Sequence, residues 1–309
     1  MTDKAEYDAD HIVRGDHTAI VVGVDGSPHG QEALEWAAAE ASTGQRPLHI
    51  VHGFTWPMMG VPFELASLAL PDARLQAAAE AVLLDAETRA RDLAPDVKVT
   101  TELVMGSTER ALLQQAHDAE MIVVGSQTMH AFTELFTGSG PATLAAHASC
   151  PVIIVHRRTD QRSPASRVVV GTDGSDASEP AVDFAFEAAA RHGASLTAVH
   201  AWSPPTSVFP EAVVAQHERE RLLGVLEAKA RRFPQIEVEV KLVDDDPGGA
   251  LTEESADAEL IVVGSRGRGG LQGLLLGSVS QTVLHDAECP VAVVGPHAGS
   301  TDLSTDDDK

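Results

Sequence analysis

The sequence has almost no cysteine: Cys150 and Cys289 are its only thiols in 309 residues. Two thiols cannot build a disulfide framework. Each stands in the same local string, SCPVIIV and ECPVAVV, as a small apolar residue would. Metal-ligand spacing is missing as well, since the 14 histidines form no HxxxH and no CxxC occurs. Cations are scarce. Lys and Arg number 22 against 46 Asp and Glu, a net charge of -24. Nucleic acid and anionic membranes carry the same sign and are excluded as expected partners. No apolar run approaches the length that crosses a bilayer. The N-terminal stretch MTDKAEYDADHIVRGD is polar and acidic, unlike a signal or transit peptide, so a cytoplasmic protein is expected. What remains is a chain with 43% hydrophobic residues and a mean hydropathy of -0.04, enough to bury a core.

The chain is written twice. TAIVVGVDGSPHGQEALEWAAAEA begins at residue 18 and RVVVGTDGSDASEPAVDFAFEAAA at residue 167. Asp25 aligns with Asp173, Trp36 with Phe184 and His52 with His200, each 148 positions apart. Gly125 aligns with Gly264, Gly138 with Gly277 and Cys150 with Cys289, each 139 apart. A period of about 140 residues is a domain, not a solenoid unit. The expected organisation is a flexible N-terminus (1–16), one domain (17–157), a polar linker with Pro164 (158–166), a second domain (167–296) and an acidic flexible tail (297–309).

Within each copy, short apolar β-branched runs alternate with Ala-rich helical patterns. In the second copy the runs are RVVVGT, SLTAVHA, IEVEVKLV, ELIVVG and PVAVVG; in the first they are AIVVGV, PLHIVHG, VKVTTELV, EMIVVG and PVIIVH. Runs apolar on both faces fit parallel strands buried under helices. The reading is α/β: two tandem Rossmann-like domains, each a five-stranded parallel doubly wound sheet.

Ligands of such sheets bind at strand carboxyl ends, where strand order reverses. Two segments there carry chemistry. One follows the first strand, with Gly23 and Asp25 in VGVDGS and Gly171, Thr172 and Asp173 in GTDGS. The other follows the fourth, GSRGRGGLQGLLLGS from Gly264 to Ser278. Gly264 and Gly267 permit a tight turn and a close backbone approach. Gly277 and Ser278 open a helix whose free N–H groups suit an anion, and Ser278 and Ser280 add hydroxyl donors. Arg266 and Arg268 add local positive charge. The blander reading has Ser278 as a helix cap and each Asp as a turn former. Finding both segments at one expected crevice favours binding.

The spacing Gly264-x2-Gly267-x9-Gly277-Ser278, joined to the Asp173 loop and the CPVAVV ending, resembles the ATP-binding class of the universal stress protein family. The resemblance covers nearly the whole chain as a tandem pair. It implies ATP as ligand, with Mg2+ an option. Gly171, Thr172 and Asp173 would lie beside the nucleotide and the backbone at Ala201 near adenine. Val263, Gly264, Ser265, Arg266, Gly267, Arg268, Gly269 and Gly270, with Gly277, Ser278, Val279 and Ser280, would hold ribose and phosphates. It also implies pairing through the last strands, as a homodimer or between the two copies, and a regulatory role in stress with a protein partner the sequence does not identify. The first copy departs from the pattern. Asp25, Gly125, Gly138, Ser139 and Gly140 remain, but Thr128 replaces the second glycine, and Gln127 and Met129 replace the arginines. A weaker or empty site is expected there.

No GxxxxGK[ST] is present, and no lysine lies near the glycine loop. Nucleotide-dependent regulation is therefore favoured over fast catalysis. The alternatives are a slow Mg-dependent ATPase or adenylate-processing hydrolase using Asp173, and an interaction scaffold with structural loops. Trp36 and Phe184 read as core, His52 and His200 as polar strand ends. Asp244, Asp245 and Asp246 read as a solvated turn before Pro247, with a divalent-cation site as the alternative.

Overall fold

The computed structural model describes residues 19–54, 73–126, 140–157, 166–202, 211–244, 246–267 and 276–296. The first half contains β1 (Ala19–Gly23), α1 (Pro28–Gly44), β2 (Leu48–Phe54), α2 (Ala73–Leu93), β3 (Val99–Met105), α3 (Thr108–Gln115), β4 (Ala119–Gly125), α4 (Pro141–His147) and β5 (Val152–Val155). The second half repeats the order. It contains β6 (Arg167–Gly171), α5 (Glu179–His192), β7 (Ser195–Trp202), α6 (Glu211–Ala230), β8 (Val238–Asp244), α7 (Pro247–Ser255), β9 (Leu260–Gly264), α8 (Ser278–Asp286) and β10 (Val291–Val294). A single 3₁₀ turn, Asp176–Ser178, leads into α5.

The strands lie in the order β3-β2-β1-β4-β5-β10-β9-β6-β7-β8. Pairing is parallel within each half, and the first and fourth strands of each copy are neighbours. Strand order reverses between them, so the two motif-bearing segments of each copy meet at one switch point. The halves join through β5 and β10, which run antiparallel with Ile153 opposite Ala292. Ten strands thereby form one sheet.

Side chains alternate along each strand and build two cores. Ile20 and Val22 of β1 face the core that takes Leu34 of α1, Leu83 of α2, Phe186 of α5 and Leu226 of α6. Val21 faces the opposite core, with Leu112 of α3, Leu144 of α4, Leu251 of α7 and Val283 of α8. Helices therefore cover both faces, which is why the inner strands are apolar throughout. Each such buried Ile, Leu or Phe contributes about 1.5–3 kcal/mol.

Local signals fix the helix starts. Ser27 caps α1, its hydroxyl accepting from the Gly30 N–H at 3.1 Å, with Pro28 following. Asp246 caps α7 in the same way, accepting from the Gly249 N–H at 2.9 Å. The acidic run before Pro247 is thus partly a capping device. Phe184 is buried, and Trp36 packs against the same core.

Candidate functional site

A cleft of about 450 Å3 opens at the carboxyl ends of β6, β7 and β9, within the volume range of small-molecule sites. Gly171, Thr172 and Asp173 line it from the turn after β6, and Ala201 from β7. Val263, Gly264, Arg266 and Gly267 line it from the end of β9, and Gly277, Ser278, Val279 and Ser280 from the start of α8. Twelve of the sequence-derived residues therefore share one cavity. Pro247 and Leu251 of α7 close its side, and Ser178 and Val199 add to its wall.

Each wall has a physical cause. Gly277 is the N-cap of α8 and offers no side chain to its first turn. The N–H groups of Ser278, Val279 and Ser280 lack carbonyls of a preceding turn and carry the positive end of the helix dipole. The Ser280 hydroxyl donates to the Gly264 carbonyl at 2.7 Å and ties the helix to β9. Its proton is thereby used within the fold, while Ser280 also lines the cleft. Ser265 is buried and acts through its backbone: its N–H donates to Val294 at 2.9 Å, and its carbonyl accepts from the Gly277 N–H at 2.9 Å. Gly264 has an ordinary negative φ. Its constraint is close approach, since a Cβ there would lie 3.2 Å from the Arg266 carbonyl oxygen. Arg266 is exposed at the rim.

The Asp173 turn is held on several sides. Asp173 Oδ1 accepts from the Ser175 N–H at 2.9 Å and from its hydroxyl at 2.5 Å. His200 Nδ1 donates to the Thr172 carbonyl at 2.8 Å. Arg221 of α6 donates to the carbonyls of Asp173 and Gly174, both at 3.3 Å. Glu218 accepts from Arg221 Nε at 3.0 Å and lies 3.7 Å from His200 Nε2. Three successive carbonyls are thereby held by side chains of β7 and α6. His200 is almost fully buried and does structural work inside β7. His52 repeats that bond in the first half, donating from Nδ1 to Val24 at 2.7 Å. Arg221 and Glu218 were missed in the sequence. Their signal was positional: Arg221 aligns with Val82, which packs against Gly26 where Arg221 packs against Gly174.

In the first half, Gly23 and Gly125 end neighbouring strands. Asp25 Oδ1 accepts from the Ser27 N–H at 2.9 Å, and Gly140 is the N-cap of α4. Arg268, Gly269 and Gly270, with Gln127, Thr128, Met129, Gly138 and Ser139, lie outside the described residues. Among the described residues no group of three or more His, Cys, Asp or Glu could hold a metal ion. No described helix is long and apolar enough to cross a membrane.

A sequence profile of the universal stress protein family matches residues 16–156 and again 164–295. The chain belongs to the universal stress protein family. A universal stress protein of Mycobacterium tuberculosis is 39% identical over 288 residues, covering 89% of this chain and 96% of the relative. One from Mycolicibacterium smegmatis is 35% identical over 291 residues, covering 90% and 97%. Among solved structures, a universal stress protein from Archaeoglobus fulgidus superposes with a TM-score of 0.67 at 20% identity, covering 91% of this chain and 97% of its own. That likeness supports the fold. Both sequence relatives align across both halves of this chain.

Proposed function

We propose that this universal stress protein binds an adenine nucleotide, ATP foremost, in the second-half cleft and works as a regulator read through its nucleotide state. The observation that carries the reading is the convergence of the α8 N-terminus, Arg266 and the Asp173 turn on one cavity. In a chain of net charge -24, an anionic ligand needs such a local offset. The residues fit the nucleotide. Unpaired helix N–H groups suit the phosphates, Arg266 offsets their charge, and the apolar wall of Val199, Ala201 and Leu251 suits a base. ATP supplies a state variable when bound, and Mg2+ would arrive with it, held mainly by phosphate oxygens.

Regulation is favoured over turnover because two polar side-chain groups at the cleft are engaged in the fold. Asp173 Oδ1 is used by Ser175, and the Ser280 proton by Gly264. The test is to denature freshly purified protein and chromatograph what is released. ATP at a fixed molar ratio to the chain supports the reading. ADP or AMP in its place moves the assignment to a slow hydrolase. No nucleotide, with no calorimetric signal on adding ATP and Mg2+, leaves the loops as structural parts of a scaffold.

A further inference from the structure

The two halves supply an internal comparison. Gly23 aligns with Gly171 and Gly53 with Ala201, while Thr108 aligns with Pro247 and Leu112 with Leu251. In the second half, Gly171, Ala201, Pro247 and Leu251 bound the open cleft. In the first half the same place is filled from within. The Gly53 N–H donates to Thr108 Oγ1 at 3.0 Å. A Cβ on Gly53 would lie 2.3 Å from the Thr108 nitrogen and 2.7 Å from its Cα, a backbone clash that no side-chain rotation relieves. The alanine found at position 201 therefore has no room at position 53 in this packing. The Thr108 methyl reaches across to β1 as well, 3.2 Å from where a Cβ on Gly23 would stand. Gly106, with φ +128°, makes the turn that brings α3 in this close.

Building on the nucleotide reading of the second half, we infer that Thr108 is the resident occupant of the first-half crevice and excludes a base from it. Its hydroxyl takes the β2 peptide N–H, so that donor is not open to a ligand at this strand end. Pro247, at the matching position, has no hydroxyl to offer Ala201. The start of α3 lies against the ends of β1 and β2, where a flat ring would have to enter. The prohibition is independent of the altered glycine loop that follows β4. The chain accordingly holds one nucleotide, and its first half is a closed copy of its second.

The experiment uses the full chain and ATP with calorimetric stoichiometry, alongside hydrogen exchange at the Gly53 amide. One ATP per chain, abolished by Gly277→Val, supports the inference. Two per chain, or one remaining in the Gly277→Val protein, overturns it. Zero in the wild type defeats the nucleotide reading itself. Hydrogen exchange tests the occupied crevice whichever stoichiometry is found. Thr108→Val keeps the side-chain volume but removes the acceptor, so Gly53 exchange should accelerate at least tenfold with the neighbouring β2 amides unchanged. Equal Gly53 exchange in wild type and variant overturns the assignment of Thr108.

Discussion

At the scale of single residues, the candidate site separates side chains that hold the fold from groups left facing the cleft. Gly277 is the sharpest case. A Cβ there would find Arg266, Ser265 and Ser280 no nearer than 3.7 Å, and its φ of -68° suits any L-residue. Gly277→Val should therefore fold, with a melting temperature within about 3 °C of wild type. Its branched side chain stands among the N–H groups of α8, so ATP affinity should fall at least tenfold in a calorimetric titration. Unchanged affinity would put the ligand elsewhere. Arg221 makes a different prediction, because it reaches the site through the Asp173 turn. Arg221→Met removes two hydrogen bonds to carbonyls but keeps an apolar stem of similar length. ATP binding should weaken by about tenfold, with Arg221→Lys recovering part of it by supplying one donor where two stood. Most of the glycine and Asp positions were legible in the sequence, because close backbone approach and turn chemistry are written into residue type. Arg221 was not, since one cation on a long helix has no local signature. Only the alignment of the copies, Arg221 against Val82, marks it as out of place. The Ser280 hydroxyl is a related case. Sequence gives the hydroxyl but not its partner, here the Gly264 carbonyl.

Between elements, a charged network forms where α1 meets α5. His192, at the end of α5, presents Nδ1 to Glu259 at 2.6 Å and Nε2 to Glu40 at 2.7 Å. Arg191 joins it, pairing with Glu40 at 2.8 Å and with Glu120 at 3.1 Å, and Arg46 also reaches Glu120 at 2.7 Å. Glu40 and Glu120 belong to the first half, while Arg191, His192 and Glu259 belong to the second. The Glu259 and Glu40 hydrogen bonds raise the His192 pKa to about 9. Because that lies above the ordinary value of 6.5, the stabilisation is complete below pH 6.5 and is lost as pH rises through 9. Thermal melts should therefore fall by roughly 5 °C between pH 7 and 10. His192→Gln should flatten that decline, and an unchanged slope in the variant would remove His192 as its source. The pairing in this network could not be read beforehand, since it joins residues of the two halves and residue type alone does not name the partner. The strands, by contrast, were legible to within a residue or two. PVAVVG contains β10, Val291–Val294, and ELIVVG contains β9, Leu260–Gly264, because a strand covered on both faces must be apolar at every position.

For the whole molecule, the decisive feature is the β5–β10 junction. Val152, Ile153, Ile154, Val291, Ala292 and Val293 are all buried there, so neither half ends in a solvated edge on this side. Ala292→Asp places an unpaired carboxylate between Ile153 and Val262. Burial of that charge should cost several kcal/mol. Both halves should lose stability together, measured as protease-resistant yield and as a single lowered thermal transition. Two separate transitions, with the first half unaffected, would show that the halves stand independently. The antiparallel join also turns the strands of one half against those of the other, so their carboxyl ends, and the crevices there, lie on opposite margins of the sheet. Because the partner of each half is covalently attached, the assembly is indifferent to dilution, and its two members are encoded by separate stretches of one gene. A symmetric pair of identical chains must change both copies whenever it changes one. This chain is free to specialise them, and Thr108 facing Gly53 while Pro247 borders a cavity is what such a division of labour looks like in atoms.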